Sequence, residues 1–202
     1  ATIAGLAPDA PALARLAQAA KAAKTALVFG YAEASGGRVY NSALCLGPNG
    51  ETLAQYRKIQ LYGPREKAIY TPGDAFTTFD LAGRKMALLI CYDIEFAPHV
   101  AALAAQGVEA ILVPTANMAP FTHVSRHTVP AMAANHGLAI AYANYCGTEG
   151  DLTYVGGSLI ADAHGQLALC DRGHPAMATA GLGDVLAGLI GALMAQHLKP
   201  FD

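Results

Sequence analysis

The chain has no tryptophan, few aromatic residues (7%) and few charged ones (14%). So little charge, set against 53% hydrophobic residues, excludes a solvated disordered chain and argues for a buried core. With 202 residues, a single domain has room for that core. No Lys/Arg run occurs and the formal net charge is -2, so nothing marks a nucleic-acid or anionic-membrane surface. Cys45, Cys91, Cys146 and Cys170 are scattered, with no CxxC pair. A disulfide framework or zinc knuckle is therefore not expected, and a reducing cytoplasm is. The start, Ala1-Thr2-Ile3-Ala4-Gly5, lacks the basic and apolar regions of a signal peptide. It also lacks an initiator Met, which is read as a start internal to a longer ancestral sequence. The longest helix-like apolar stretch, 185–198, is too short and interrupted to span a bilayer.

What is present alternates between two periods. Residues 8–24 are Ala-rich with Leu13 and Leu16 on one side, which predicts an amphipathic helix. Residues 25–31, 38–46 and 51–57 read as strands separated by Gly36-Gly37 and Pro48-Asn49-Gly50 turns. Gly63-Pro64 and Pro72-Gly73 mark 62–73 as a loop. Apolar strands are predicted at 85–90, 110–114 and 138–145, helices at 98–106 and 124–136, and a hairpin over 154–169. Strands alternating with helices, mixed with meanders, indicate an α/β layered fold.

Two residues invite chemistry. An apolar strand delivers Cys91 to a turn before a helix, the geometry that lifts a nucleophile to the carboxyl edge of a sheet. A cysteine at a strand end is more often a small buried hydrophobe, and a nucleophilic thiol needs a cation or base beside it. Lys58 ends the third strand and opens a loop containing Glu66. Such a lysine either guards a solvated edge or, paired with a carboxylate in a dry cleft, stabilises an oxyanion and depresses a thiol pKa.

Tyr56-Arg57-Lys58-Ile59-Gln60-Leu61, Gly63-Pro64-Arg65-Glu66 and Thr71-Pro72-Gly73-Asp74 resemble the lysine block of nitrilase-superfamily carbon–nitrogen hydrolases. Leu88-Leu89-Ile90-Cys91-Tyr92-Asp93-Ile94-Glu95-Phe96 resembles their cysteine block. Val113-Pro114-Thr115-Ala116, Tyr142-Ala143-Asn144-Tyr145-Cys146-Gly147 and Tyr154-Val155-Gly156-Gly157-Ser158 resemble later core segments. The agreement runs in order from about residue 5 to about residue 170, which is more specific than any one motif. The resemblance implies an α-β-β-α sandwich over residues 1–172, incomplete at its N-terminus, that assembles into homo-oligomers. It implies Cys91 as nucleophile toward a small amide or nitrile, Lys58 and the Tyr92 backbone N–H as oxyanion donors, and Glu66 holding Lys58. No cofactor or metal is expected.

The same resemblance implies departures. The family's general-base glutamate lies on a strand upstream of the helix that begins here near Pro8, so that segment is expected to be absent. An inactive truncated or chimeric protein is therefore the alternative to a working hydrolase. Glu66 is a partial substitute or a purely structural partner of Lys58, whereas Glu33 and Glu95 are read as solvated or structural. Ala97 stands where relatives carry proline, and Asn135 where they carry glutamate.

Residues 173–202 change character, with small residues and glycine dominating. Met177-Ala178-Thr179-Ala180-Gly181-Leu182-Gly183-Asp184 and the apolar stretch after it resemble the C-terminal motif of ADP-dependent NAD(P)HX dehydratases. That implies a ribokinase-like segment, read as a graft, with nucleotide binding as a further alternative. His123 and His127, four apart, match a metal-binding helix face but lack a third ligand, so they are read as ordinary polar residues.

Overall fold

The structure, a computed structural model, describes residues 4–169. The expected tail motif at 177–184 thus lies outside the described residues. Helix α1 (Pro11–Ala23) covers a three-stranded antiparallel sheet of β1 (Leu27–Ser35), β2 (Arg38–Leu46) and β3 (Thr52–Arg57). The second sheet has six strands in the order β11-β10-β7-β6-β5-β4. Its centre is parallel: β5 (Arg84–Leu88) and β7 (Ala139–Asn144) flank β6 (Ala110–Thr115). β4 (Thr78–Leu81) and the pair β10 (Leu159–Ala161) and β11 (Leu167–Leu169) extend it antiparallel. Helices α3 (Ala97–Ala105) and α4 (Val129–His136) connect the parallel strands, as crossover geometry requires.

Alternation sets the layers. On β2, Ala43 and Cys45 join the large core shared with the second sheet, whereas Leu44 and Leu46 join Leu13 and Ala20 of α1 in a smaller one. This is the period of two expected when both faces of a sheet are covered. The central strands read as continuous apolar runs because both faces are buried: Ile111, Leu112 and Val113 are all 0% exposed. A shallow groove lined by Leu13, Ala17, Leu44 and Leu46 lies on the α1 side of the small sheet. Cys91 packs instead against the core between the sheets.

Three segments differ from the sequence reading. Residues 62–73 contain a short helix, α2 (Gly63–Ile69), rather than a loop throughout. Pro64 sits in its first turn, where the missing N–H has no helical acceptor to lose, so it starts the helix instead of breaking it. Residues 154–169 are not one hairpin. β9 (Leu152–Val155) pairs back to β8 (Cys146–Glu149) across Gly150, while β10 returns to the large sheet beside β7. The predicted helix 124–136 opens with a π-helical turn, Val124–Thr128, before α4. No helix among the described residues is long and apolar enough to cross a membrane.

Candidate active site

The end of β3 explains why a lysine is buried. Ala54 and Tyr56 face the core between the sheets, and Lys58 is the next residue in that alternation. Its side chain is 2% exposed, which an ammonium tolerates only with partners. Glu66 of α2 supplies them: Lys58 Nζ donates to Oε1 at 2.9 Å and to Oε2 at 2.8 Å. Asn41 on β2 fixes both members. Its side chain donates to Glu66 Oε1 at 2.6 Å, and its carbonyl accepts the Lys58 backbone N–H at 2.8 Å. The Tyr62 backbone N–H donates to Glu66 Oε2. The return of the chain after α2 passes close behind. Gly73 N–H donates to the Lys58 carbonyl, and a Cβ at residue 73 would lie 2.2 Å from the Arg57 carbonyl oxygen. Glycine is required there by close backbone approach.

Cys91 stands three residues past β5, at the start of a short 3-10 turn, Cys91–Glu95. Its φ is +48°, a left-handed conformation that a side chain adopts at a cost of about 1–3 kcal/mol. This is the sharp strand–turn–helix bend that presents a nucleophile at the carboxyl edge of a parallel sheet. Burial pushes the Cys91 thiol above its ordinary value; Lys58 and a hydrogen bond from the Ala116 backbone pull it down, while Glu66 and Glu95 push it up. As a residue Cys91 is only partly buried. Cys45 is the contrast: fully enclosed, it is pushed up to about 12 by burial and then by Glu51, with no cation to oppose them. Its surroundings are those of an inert thiol.

The turn also explains the fate of Tyr92. The first N–H groups of a helix have no helical acceptor. Asp93 N–H already donates to the Ile90 carbonyl, so the Cys91 and Tyr92 N–H groups are those left at the turn's opening. The four residues singled out in the sequence therefore gather at one place: Cys91 and Tyr92 on the turn, Lys58 and Glu66 facing it.

Sequence reasoning missed the residue that holds these parts together. Asp93 is 0% exposed and its carboxylate accepts three hydrogen bonds from two separate elements. Tyr56 Oη donates at 2.9 Å, Gln60 N–H at 2.8 Å and Ile90 N–H at 3.1 Å. Asp93 thus ties the Cys91 turn to the segment carrying Lys58. Burial raises its pKa, with the Gln60, Tyr56 and Ile90 hydrogen bonds and Lys58 opposing. Asparagine at 93 presents one N–H₂ toward a donor in this pocket. Asp93→Asn should cost about 1–3 kcal/mol of stability, the penalty for an unmet buried group. Chemical denaturation of the two proteins checks this. A raised folded-state pKa means that Asp93 makes the native protein less stable, relative to the asparagine variant, as pH rises from the unfolded carboxyl value to the folded one.

Glu33 and Glu95 part company. Glu33 is buried and structural: burial alone pushes its pKa up, but hydrogen bonds from Arg57 and Ser42 bring it below the ordinary value. Glu95 was read as solvated or structural, yet it borders Cys91, Lys58 and His123 electrostatically. Its position, four residues after Cys91, is a signal the sequence did hold. His123 and His127 are both exposed, and no group of three metal-ligating side chains assembles among the described residues. Asn135 lies exposed on α4, and Ala97 starts α3 with Pro98 in its first turn.

Comparisons with known proteins point to one family. The sequence model of the family described as "Carbon-nitrogen hydrolase" matches residues 1–183. The chain is 41% identical over 161 residues to the "Hydrolase in pqqF 5'region" of Pseudomonas protegens, covering 79% of this chain and 56% of that protein. It is 41% identical to an (R)-stereoselective amidase of Pseudomonas sp., covering 70% of this chain and 52% of the relative. The chain thus spans about half the length of the curated relatives it matches. Among solved structures, an amidase from Nesterenkonia sp. superposes with a TM-score of 0.74 at 40% identity, over 77% of this chain and 60% of that one. A glutamate-to-glutamine mutant of that amidase shows covalent addition of the acetamide moiety of fluoroacetamide at its active-site cysteine.

Proposed function

The chain belongs to the carbon–nitrogen hydrolase family, and from that premise we propose that it hydrolyses the carbon–nitrogen bond of a small amide through a thioester on Cys91. The observation that carries this reading is Cys91 held in a left-handed bend beside the buried Lys58–Glu66 pair. The Cys91 thiolate attacks the carbonyl carbon, and the oxygen becomes an oxyanion. The Lys58 ammonium and the Tyr92 N–H receive that charge, the largest single contribution available to such a site. Glu66 holds the ammonium in place and stays outside the bond changes. The tetrahedral species collapses, the carbon–nitrogen bond breaks, and the nitrogen leaves as ammonia after taking up, by way of water, the proton that the Cys91 thiol lost on becoming the thiolate. Water then attacks the thioester, the carbon–sulfur bond breaks, and the acid and the Cys91 thiol are released. A nitrile is the other substrate type this chemistry accepts, its carbon entering as a thioimidate.

The proposal extends to the setting. Cys45, Cys91 and Cys146 are all free thiols, which suits a reducing cytoplasm. Several copies of the chain assembling together, and one hydrolase unit over 1–172 followed by a distinct tail, complete the picture. The nucleotide-binding alternative rests on residues outside those described, so only the hydrolase reading has site geometry behind it.

A short-chain p-nitrophenyl ester tests the proposal. A burst of nitrophenolate stoichiometric with protein, and an acyl adduct localised to the Cys91 peptide by mass spectrometry, is the expected result. Absence of any adduct at Cys91 would sink the proposal in favour of an inert family member.

A further inference from the structure

Ala116 follows β6 and is exposed, so burial of its side chain cannot fix its backbone. Yet its N–H donates to the Cys91 sulfur. The sheet explains the direction of that N–H. In the parallel register Leu88 faces Leu112, and the same count brings Cys91 level with Thr115. β7 lies on one side of β6, while β5 and the turn it leads into lie on the other. The Thr115 carbonyl accepts the Tyr145 N–H at 3.0 Å, toward the β7 side. The peptide between Thr115 and Ala116 is trans, which sends its N–H the opposite way, toward the Cys91 turn.

Beyond Thr115 no strand holds that pose. β7 ends at Asn144 and the chain leaves for β8, so no β7 backbone lies beside Asn117. The Asn144 side chain stands in for it. Its Oδ1 accepts the Asn117 N–H at 2.6 Å, and its Nδ2 donates to the Asn117 carbonyl at 3.2 Å and to the Gly156 carbonyl at 2.7 Å. The Val155 N–H also donates to the Asn117 carbonyl, at 3.1 Å, so it is the Asn117 N–H that depends on Asn144. Asn144 is only 4% exposed and is itself fixed. Its backbone N–H donates to Ser158 Oγ at 2.9 Å, and that hydroxyl donates to the Asn144 carbonyl at 3.2 Å. Ala116 is therefore gripped on both sides, by Tyr145 through Thr115 and by Asn144 through Asn117.

We propose that Asn144 is a positioning residue for Cys91: its amide continues the β7 ladder past the strand's end and so holds the Ala116 N–H on the sulfur. An N–H aimed at sulfur favours the thiolate over the thiol, because a charged acceptor makes the stronger hydrogen bond. Lys58 supplies the nearby charge and Ala116 a donor of fixed direction. Asn144 acts only through the backbone of residues 116 and 117. The catalytic consequence rests on the amide-hydrolase reading, but the state of the thiol is measurable without turnover.

The test is iodoacetamide labelling of the full chain across pH, with modification of the Cys91 peptide followed by mass spectrometry. Lys58, Glu66 and Glu95 act on the thiol, and Tyr142 and Tyr154 face it; the substitutions alter none of them. Asn144→Ala should displace the labelling profile by about one pH unit to the alkaline side, the loss of one hydrogen bond to a charged acceptor. At pH 7 labelling should slow by about threefold, less than the fall in thiolate, because the more basic thiolate is the better nucleophile. Ser158→Ala is the matched control. It opens the same buried network but leaves the Asn144 amide on Asn117, so its profile should coincide with that of the unmodified chain. Melting temperatures establish that each variant is folded. Asn144→Ser, neutral and with its oxygen one bond closer to the backbone, loses the same grip with a smaller cavity and is read in the same way if the alanine variant does not fold. An unmoved profile in a folded Asn144 variant overturns the proposal. So does an equal displacement in Ser158→Ala, which marks general loosening of the network. Separately, kcat for a small aliphatic amide should fall about three- to tenfold in Asn144→Ala with little change in KM. If the unmodified chain turns over no amide while the profile shifts as expected, the hydrolase reading fails and the positioning role stands. If it turns amide over and the profile does not move, the positioning role fails and the hydrolase reading stands.

Discussion

Cys91→Ala should lower kcat for a small amide by about 10,000-fold or more, and the burst with an activated ester should vanish. The size follows from removing the nucleophile of a covalent mechanism: what remains is binding and oxyanion stabilisation acting on water. The protein should stay folded, because Cys91 is only partly enclosed and the variant keeps the turn's hydrogen bonds, which are made by the backbone and by Asp93. Circular dichroism melting separates loss of chemistry from loss of structure. Alanine keeps the left-handed strain at φ +48°, whereas Cys91→Gly should relieve it. Glycine at 91 should therefore be at least as stable as alanine there, despite its greater freedom in the unfolded chain. If Cys91→Ala retains the burst, the acyl group is carried elsewhere and the assignment of Cys91 fails.

The contrast between what the sequence disclosed and what it concealed has a physical basis. Lys58 was singled out as the end of a predicted strand within a block that resembles the family's lysine block; its burial, which follows from Ala54, Tyr56 and Lys58 sharing one face of β3, was not read from the sequence. Cys91 was legible because the apolar run before it and the helix after it are local as well. Asp93 was not, since its three donors lie on both sides of the site, with Gln60 and Tyr56 33 and 37 residues away in the chain. Nothing within a few residues of Asp93 distinguishes it from a solvated aspartate. Asn41 is similar: its grip on Glu66 spans 25 residues and depends on how β2 meets α2. Glu95 shared its motif with Cys91, but its electrostatic neighbours His123 and Lys58 lie far from it in the chain. α2 was concealed for a different reason. Gly63, Pro64, Pro72 and Gly73 are turn formers on average, yet Pro64 falls where a helix tolerates it and Gly73 where a backbone crosses behind Arg57.

Lys58→Met should show a double effect, on rate and on the thiol. Removing an oxyanion donor lowers kcat by about 100- to 1000-fold. The thiol should respond too, because Lys58 is the foremost influence holding Cys91 down against burial. Without the ammonium the Cys91 pKa rises further above its ordinary value, so at neutral pH the thiolate fraction falls. The rate of alkylation by iodoacetamide should rise with pH in both proteins, and the profile of the variant should lie to the alkaline side. Stability should fall as well, since methionine fills the lysine's volume but leaves the Glu66 carboxylate facing only Asn41 and the Tyr62 N–H. Breaking a buried pair costs about 3–5 kcal/mol, and the lower end applies because the Glu66 side chain keeps 17% exposure. Adding Glu66→Gln to Lys58→Met removes the stranded charge. The double variant should regain much of that stability while staying as slow as the single one. A double variant that regains activity would instead place Glu66, not Lys58, at the centre of the oxyanion chemistry. Recovery of stability without activity is the result that keeps Lys58 as the donor and Glu66 as its support.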